Sequence, residues 1–473
     1  MTTTKHTSAL SRFSSVLDAN GVLTSAADME GYLREWRDKY IGEAAAVLRP
    51  RSVEEIVKIV KIANEEKVAL VPQGGNTGLV GAQIAFDAER QYVVNLSRLN
   101  AIRDIDPMGF TMTVEAGVVL QNIQDAADDV DRFFPLSLGA EGTCQIGGNL
   151  SSNAGGTGVI AYGNARELVL GIEAVLPNGE IYRGLNRLKK NNTGYDLKNL
   201  FIGAEGTLGF ITAAVLKLYP KPRGKQAALL AFDSLDTVAH FYTRAQSLAG
   251  QMVTTFEIIP RIGIDFLIKH VDGVRDPLET TAPWYVFMEL SSGQSIEHAN
   301  ELMMSLLEAG MESEEILDGT IAASETQRQY FWHLRHELSG CQKPEGGSIK
   351  HDVSVPIACL PDYIKETWEA VQTFMPDCRP VPFGHWGDGN IHFNITQPVG
   401  MDTDEFLNLW DDFSEVVHGV AISYGGAISA EHGIGVMKRE MLAKVKDPVA
   451  LALMHQLKST LDPNGIMNPG KVL

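Results

Sequence analysis

Between residues 134 and 163 the chain is too rich in glycine, serine and asparagine to pack a core of its own, so it must be supported by the rest of the fold. It contains Leu138-Gly139, Ile146-Gly-Gly-Asn149 and Ser152-Asn-Ala-Gly-Gly156. Apolar residues interrupt it too regularly for a flexible linker, and no Gly/Ser repeat appears. The composition predicts backbone wrapped around a ligand, with glycines letting main-chain N–H groups approach a pyrophosphate and Asn and Ser offering hydrogen bonds to ring edges. Pro72-Gln-Gly-Gly-Asn-Thr-Gly-Leu-Val-Gly81 is a second loop of this kind, with four glycines. It follows a short buried strand expected at 68–71 and a helix expected at 52–67, where Ser52 can cap and Val53, Ile56, Val57, Val60 and Ile62 make an apolar stripe. Neither loop has G-x-G-x-x-G opening a helix or G-x-x-x-x-G-K-[ST], which disfavours a nicotinamide or triphosphate site.

At 473 residues the chain exceeds the size at which single cores stop growing, so at least two domains are expected. Forty basic residues against fifty-nine acidic ones leave a net charge of −19, which argues against nucleic acid as a partner. Cys144, Cys341, Cys359 and Cys378 are scattered without a C-x-x-C pair, fitting a reducing compartment. No run reaches the apolar length of a membrane span, and the N-terminus lacks a secretory core. Residues up to Leu17, with Lys5 and Arg12 and no acid, read as a plain N-terminal arm rather than an organellar presequence. A cytoplasmic location is expected, with an organellar matrix as the alternative.

The first half reads as α+β material. Strands are expected at 92–95 and 109–116, a helix at 120–130, a hairpin at 168–183 turning on Pro177-Asn-Gly179, and a strand at 208–218. The proline-basic joint Tyr219-Pro-Lys-Pro-Arg-Gly224 closes this part. Beyond it, alternating strands (227–232, 284–290) and helices (238–249, 296–309) predict an antiparallel sheet covered by helices. A helix over 323–338 places Trp332, Arg335 and Ser339 on one face. Residues 348–355 read as one strand, with Lys350, Asp352 and Ser354 alternating against apolar neighbours. Helices follow at 361–374 and 406–424.

Between those two helices lies Gly384-His-Trp-Gly-Asp-Gly-Asn-Ile-His-Phe-Asn394. In one straight strand His385 and His392 would point to opposite faces, so they converge only if the backbone reverses between them. Gly387-Asp-Gly-Asn390 is turn chemistry of that kind. Past the turn, Ile391, Phe393 and Ile395 alternate with His392, Asn394 and Thr396, placing His392 and Asn394 on one side. Ser429-Ala-Glu-His-Gly-Ile-Gly435 offers further ligands in Glu431 and His432, the alternatives being a surface glutamate and a core histidine. Two imidazoles and a carboxylate suit a catalytic divalent ion with open positions, zinc first among them, and such a site attracts an anionic, chelating substrate such as a 2-hydroxy acid.

Both glycine loops, in this order, resemble the cofactor-gripping loops of the FAD-linked oxidase family, with its vanillyl-alcohol-oxidase (PCMH) type of flavin domain. The resemblance covers most of residues 40–220, and Asp462-Pro-Asn-Gly-Ile-Met-Asn-Pro-Gly470 is similar to the family's C-terminal signature. It implies a two-domain α+β fold, with a PCMH-type FAD-binding domain at 1–222, an antiparallel-sheet substrate (cap) domain at 223–428, and a segment at 429–473 returning to the FAD domain. In the first loop the cofactor would meet Pro72, Gly74, Gly75, Asn76, Thr77, Gly78 and Gly81. The second would contribute Leu138, Gly139, Gly142, Thr143, Gly147, Gly148, Asn149, Ser152, Asn153, Gly155, Tyr162 and Gly163. Glu205, Gly206, Gly209, Ile211 and Asn468 complete that set. Relatives with covalent flavin place a histidine where this chain has Asn76, so non-covalent FAD is expected.

His385, His392, Asn394, Glu431 and His432, with Arg335, Ser339 and Lys350, resemble the active-site set of D-2-hydroxyglutarate dehydrogenases and their D-lactate dehydrogenase relatives. The resemblance implies a metal on His385, His392 and Glu431, zinc or another divalent ion. It implies substrate contacts from Asn394 and His432, and a distal-carboxylate clamp of Arg335, Ser339 and Lys350. Ser339 departs mildly from the threonine common in relatives.

The expected reaction is oxidation of D-2-hydroxyglutarate to 2-oxoglutarate, with His432 as general base, the metal on the hydroxyl and carboxylate, and hydride passing to flavin N5. Alternatives are a D-lactate or glycolate dehydrogenase, a metal-dependent hydrolase with Glu431 as base, and a flavin subunit without turnover. An electron acceptor such as an electron-transferring flavoprotein, a quinone or dioxygen is required, and a homodimer is a family expectation.

Overall fold

The computed structural model describes residues 2–473, with side chains from Ser8 onward. Two compact units emerge: residues up to Gly155, 164–220 and 431–473 form the first, and 156–163 with 221–430 form the second. The fold is α+β, with mixed helices and strands in one unit and one large antiparallel sheet in the other.

In the first unit a four-stranded sheet runs Val22–Leu23, Glu43–Leu48, Phe86–Asn95, Ala69–Gln73, and the two neighbours of Phe86–Asn95 lie parallel to it. The helix Val53–Glu66 connects two of these strands as its stripe predicts: Ser52 accepts the Glu55 N–H, and Ile56, Ile59, Val60 and Ala63 are buried. A five-stranded antiparallel sheet follows, in the order Ile102–Asp106, Thr111–Glu115, Phe210–Lys217, Val169–Val175, Ile181–Arg183. Its last two strands are the expected hairpin, which turns at Gly179 with φ +81°. The N-terminal arm is instead a helix, Thr2–Val16, because Ala9, Phe13 and Leu17 give it an apolar side to bury, and Arg12 reaches Glu66 at 2.8 Å. Met1 and the side chains before Ser8, Lys5 among them, lie outside the described residues.

The second unit is built on an eight-stranded sheet in the order Asp318–Ile321, Gly224–Phe232, Trp284–Ser292, Val253–Pro260, Arg379–His385, Asn390–Thr396, Ser348–Ile349, with Asp352–Ser354 also pairing Asn390–Thr396. Strand alternation splits the core in two. Ala228, Leu230 and Phe232 face helices Leu235–Ala249 and Ile296–Glu312, whereas Ala227, Leu229 and Ala231 face Arg261–His270 and Glu325–Glu337.

Two expected elements are broken. Residues 348–355 form two short strands, because the His351 ring turns inward and its Nδ1 bonds Phe393 O at 2.9 Å where a ladder bond would fall. The register nonetheless runs through the gap, from Ile349 opposite Ile395 to Asp352 opposite His392. The helix expected at 406–424 is Thr403–Leu407 followed by Trp410–Ser423, with Leu409 N bonded to Phe406 O at 3.1 Å, a tightened turn that ends the first helix. Among the described residues no helix is long and apolar enough to cross a membrane.

Candidate active site

The two histidines sit on adjacent strands joined by a tight turn. Arg379–His385 leads into a single helical turn, Trp386–Asp388, and Asn390–Thr396 returns antiparallel to it. Gly389 closes the reversal with φ +82°, and a Cβ there would stand 2.3 Å from Val355 O, so the position admits only glycine. Residues directly opposite in an antiparallel ladder point to the same side. His385 opposes Asn390 and Phe383 opposes His392, so the imidazoles share a face, with ring centroids 5.3 Å apart.

Carboxylates stand behind both rings. Glu257, from the central strand Val253–Pro260, is opposite His385 and meets its Nδ1 at 2.6 Å. Asp352, opposite His392, lies 4.0 Å from that ring's Nδ1. Glu257 also accepts Arg335 Nε at 2.5 Å, and the guanidinium lies 5.1 Å from the Phe383 ring centroid. Burial opposes ionisation of Glu257, yet the Arg335 charge and the His385 ring outweigh it and hold the carboxyl down to about 2. An ionised Glu257 fixes the His385 tautomer with Nδ1–H toward the carboxylate and aims Nε2 outward, the arrangement that metal-binding histidines use.

Two of the expected clamp residues meet in the same unit. Lys350 Nζ donates to Ser339 O at 3.0 Å and Oγ at 3.1 Å. Lys350 falls opposite Asn394 in the register that pairs Ile349 with Ile395, which puts it on the histidine face. Asn394 Nδ2 bonds Gln342 Oε1 at 3.1 Å. Sequence reasoning missed Glu257 and Gln342 as parts of this site. The signal for Glu257 was available, a lone acid inside Val253-Thr-Thr-Phe-Glu-Ile-Ile-Pro260, whereas nothing marks Gln342 in its polar loop.

Glu431 and His432 belong to the first unit, with carboxylate and imidazole 3.7 Å apart. Ala430, which precedes them and belongs to the second unit, donates its N–H to Asp352 O at 3.3 Å.

Both glycine loops lie in the first unit up to Gly155, whereas Tyr162 and Gly163 lie in the second. The loops touch so closely that a Cβ on Gly75 would come 2.1 Å from Thr143 O, and the second loop also presses on the end of strand Thr111–Glu115, where a Cβ on Gly147 would come 2.6 Å from Ala116 Cβ. Gly139, Gly142 and Gly148 face open space instead. Four buried side-chain oxygens, of Asn76, Gln145, Asn149 and Asn468, accept no hydrogen bond among the described residues. Orphaned buried acceptors are costly, and a flavin dinucleotide carries the ribose hydroxyl, adenine amine and ring N–H donors that would satisfy them. The loops therefore fit FAD. Asn76 itself, at φ +57°, is tied through Nδ2 to Gly31 O and Arg34 O. Leu138 N–H is held by Glu141 and Asn153 Oδ1 by Arg166 N–H, while the Thr143 and Ser152 hydroxyls bond the backbone, so these four shape the loops from within.

Glu205 works as a clasp on the C-terminal segment. Its buried carboxylate accepts the N–H groups of Ile434 at 2.7 Å and Gly435 at 2.8 Å, and Asn468 Nδ2 donates to Ala82 O and Glu205 O. Burial pushes the Glu205 carboxyl up to about 7 against the pull of those N–H groups and of Lys438.

A glycine cradle with unmatched buried acceptors in one unit, and an antiparallel sheet that sets histidines against carboxylates in the other, define a two-domain flavoprotein oxidoreductase. Residues 44–184 match the FAD binding domain and residues 221–472 match the C-terminal domain of FAD linked oxidases. The chain belongs to the FAD-linked oxidase family, in the group of D-2-hydroxyglutarate dehydrogenases and their D-lactate dehydrogenase relatives. It is 37% identical to the D-2-hydroxyglutarate dehydrogenase of Stutzerimonas stutzeri, over 97% of each chain. It is 35% identical to the D-2-hydroxyglutarate–pyruvate transhydrogenase of Saccharomyces cerevisiae, over 98% of this chain and 94% of that one. For the mitochondrial D-2-hydroxyglutarate dehydrogenase of Arabidopsis thaliana the identity is 34%, over 98% and 81%. Among solved structures, substrate-bound p-cresol methylhydroxylase superposes with a TM-score of 0.75 at 18% identity, over 99% of this chain and 97% of that one. An alkyldihydroxyacetonephosphate synthase gives 0.74 at 15%, over 98% and 84%. At such identities these two speak for the fold alone.

Proposed function

We propose that the protein oxidises D-2-hydroxyglutarate to 2-oxoglutarate, as an FAD-dependent D-2-hydroxy-acid dehydrogenase. Its main support is Glu257 behind His385, which pre-orients an imidazole for a metal while holding Arg335 beside it. The first unit is assigned the FAD, held without a covalent link, and the second the substrate. Bound FAD supplies the acceptor for the substrate's α-hydrogen and its electron pair. His385, His392 and Glu431 would hold a divalent ion, zinc first, which would supply positive charge toward the oxygens of a bound hydroxy acid.

The remaining work falls to side chains. His432 takes the hydroxyl proton as general base. Arg335, fixed through Nε, turns its terminal nitrogens to the distal carboxylate, and Lys350 with Ser339 completes that clamp. A second carboxylate would meet the charges of Arg335 and Lys350, a contact that D-lactate and glycolate cannot make, which favours a dicarboxylic hydroxy acid. An electron-transferring flavoprotein or a quinone would then reoxidise the flavin. A homodimer and a cytoplasmic location, with an organellar matrix as the alternative, complete the proposal.

Anaerobic titration with D-2-hydroxyglutarate, D-lactate and glycolate, following loss of flavin absorbance before and after chelation, tests it. D-2-hydroxyglutarate should reduce the flavin at the lowest concentration, and chelation should slow that reduction. A preference for D-lactate would overturn the substrate assignment, and a colourless protein the whole reading.

A further inference from the structure

Gln342 is completely buried and lies just past the helix Glu325–Glu337 that carries Arg335. Its Nε2 donates to Leu338 O at 2.6 Å. A carbonyl oxygen can only accept, so this bond settles which end of the Gln342 amide is nitrogen. The other end must be Oε1, and it receives Asn394 Nδ2 at 3.1 Å and Ser348 Oγ at 3.3 Å. Both Oε1 lone pairs are then used. If the Asn394 amide were turned over, two amide oxygens would face each other in a buried setting, an arrangement with no hydrogen to share. A backbone carbonyl at a helix end thus dictates, through two amides, how Asn394 is oriented. That bond to Gln342 is the side chain's only hydrogen bond among the described residues, and it leaves Oδ1 on the far side of the amide. Asn394 shares its strand face with His392.

We infer that Gln342 is a positioning residue that holds Asn394 with its carbonyl oxygen toward the substrate, so that Oδ1 accepts the 2-hydroxyl hydrogen in the resting complex, before that hydrogen turns to His432 for removal, and disfavours the 2-oxo product. This rests on the proposed role of Asn394 as a substrate contact. A hydroxyl has a hydrogen to give Oδ1, whereas the carbonyl left after oxidation has none and brings its oxygen against another oxygen. The same side chain therefore favours substrate and helps expel product.

The test compares holoenzyme with Gln342→Leu and Gln342→Met, which remove the bond to Asn394 while nearly keeping volume. The inhibition constant for 2-oxoglutarate and the KM for D-2-hydroxyglutarate are measured together, with flavin content and thermal midpoint as controls on folding. The ratio of inhibition constant to KM should fall about tenfold as the Asn394 amide becomes free to turn, the size of one hydrogen bond. A merely structural role would shift both constants alike, and an unchanged ratio in folded variants would overturn the inference. Should Gln342→Leu fail to accumulate, the unbranched Gln342→Met decides the matter alone. Asn394→Ala separates the underlying reading: if it leaves both constants untouched, Asn394 is not a substrate contact at all.

Discussion

Glu257 and His385 are directly opposite each other on neighbouring strands, and the carboxylate that orients His385 at 2.6 Å also holds Arg335. One fully buried acid thus ties a proposed metal ligand to a proposed substrate clamp. Glu257→Gln should weaken both. Loss of an outer carboxylate commonly costs 10–100-fold in metal affinity, and leaving Arg335 buried without its anion should cost about 3–5 kcal/mol of stability. Metal content after dialysis against a weak chelator, together with the thermal midpoint, checks both. A variant that keeps its metal and its melting temperature would show that the pair is dispensable.

Arg335→Ala should injure oxidation of D-2-hydroxyglutarate far more than that of D-lactate. The loss of a charge-assisted, bidentate contact predicts roughly a hundredfold drop in kcat/KM for the dicarboxylate, against a few-fold for the monocarboxylate. Steady-state kinetics on the two substrates make the comparison, and equal losses would mean that Arg335 serves something common to both.

His392 and His432 should separate cleanly. His392→Ala should release the metal and nearly abolish turnover while the protein stays yellow. His432→Ala should retain metal and lower turnover by roughly 10²–10⁴-fold, the usual worth of a general base. Elemental analysis beside flavin absorbance distinguishes these outcomes, and metal loss in His432→Ala would exchange the roles of base and ligand.

Glu205 predicts a pH dependence of stability. Its carboxyl titrates near 7 in the folded chain against an ordinary value of 4.5, so between those values the folded state holds a proton that the unfolded state has lost. Stability contributed by this group is therefore present below pH 4.5 and declines as pH rises through 7, by at most about 3 kcal/mol. Glu205→Gln should flatten that decline, lowering stability at acid pH because its amide can accept only one of the two N–H groups of Ile434 and Gly435, and closing or reversing the difference above pH 7, where the native carboxylate is charged and buried. Thermal midpoints measured from pH 4.5 to 8 for both proteins provide the check, and parallel curves would count against a buried, titrating Glu205.

Much of this was legible because it is written in local pattern. The Ser52 cap, the Pro177-Asn-Gly179 turn and the reversal between His385 and His392 each depend on residues adjacent in the chain. Breaks set by distant partners were not legible. His351 interrupts its strand only because Phe393 O and Ser414 Oγ await its ring, and Phe13 makes the N-terminal arm helical only because Tyr92 offers an edge-on ring 4.9 Å away. Glu257 and Gln342 escaped for the same reason, since their roles come from atoms 78 to 128 residues away for the one and 52 for the other.

The clasp on the C-terminal segment bears on how the protein is made. Met467 pairs with Leu70 and Asn468 is bonded to Leu70 O, Ala82 O and the Glu205 backbone, so the first unit lacks part of its own wall until residues near 468 have left the ribosome. The second unit, ending at Ala430, has all its strands earlier. Synthesis should therefore yield a finished sheet domain before a finished flavin cradle, which places cofactor capture after the residues near 468 have emerged.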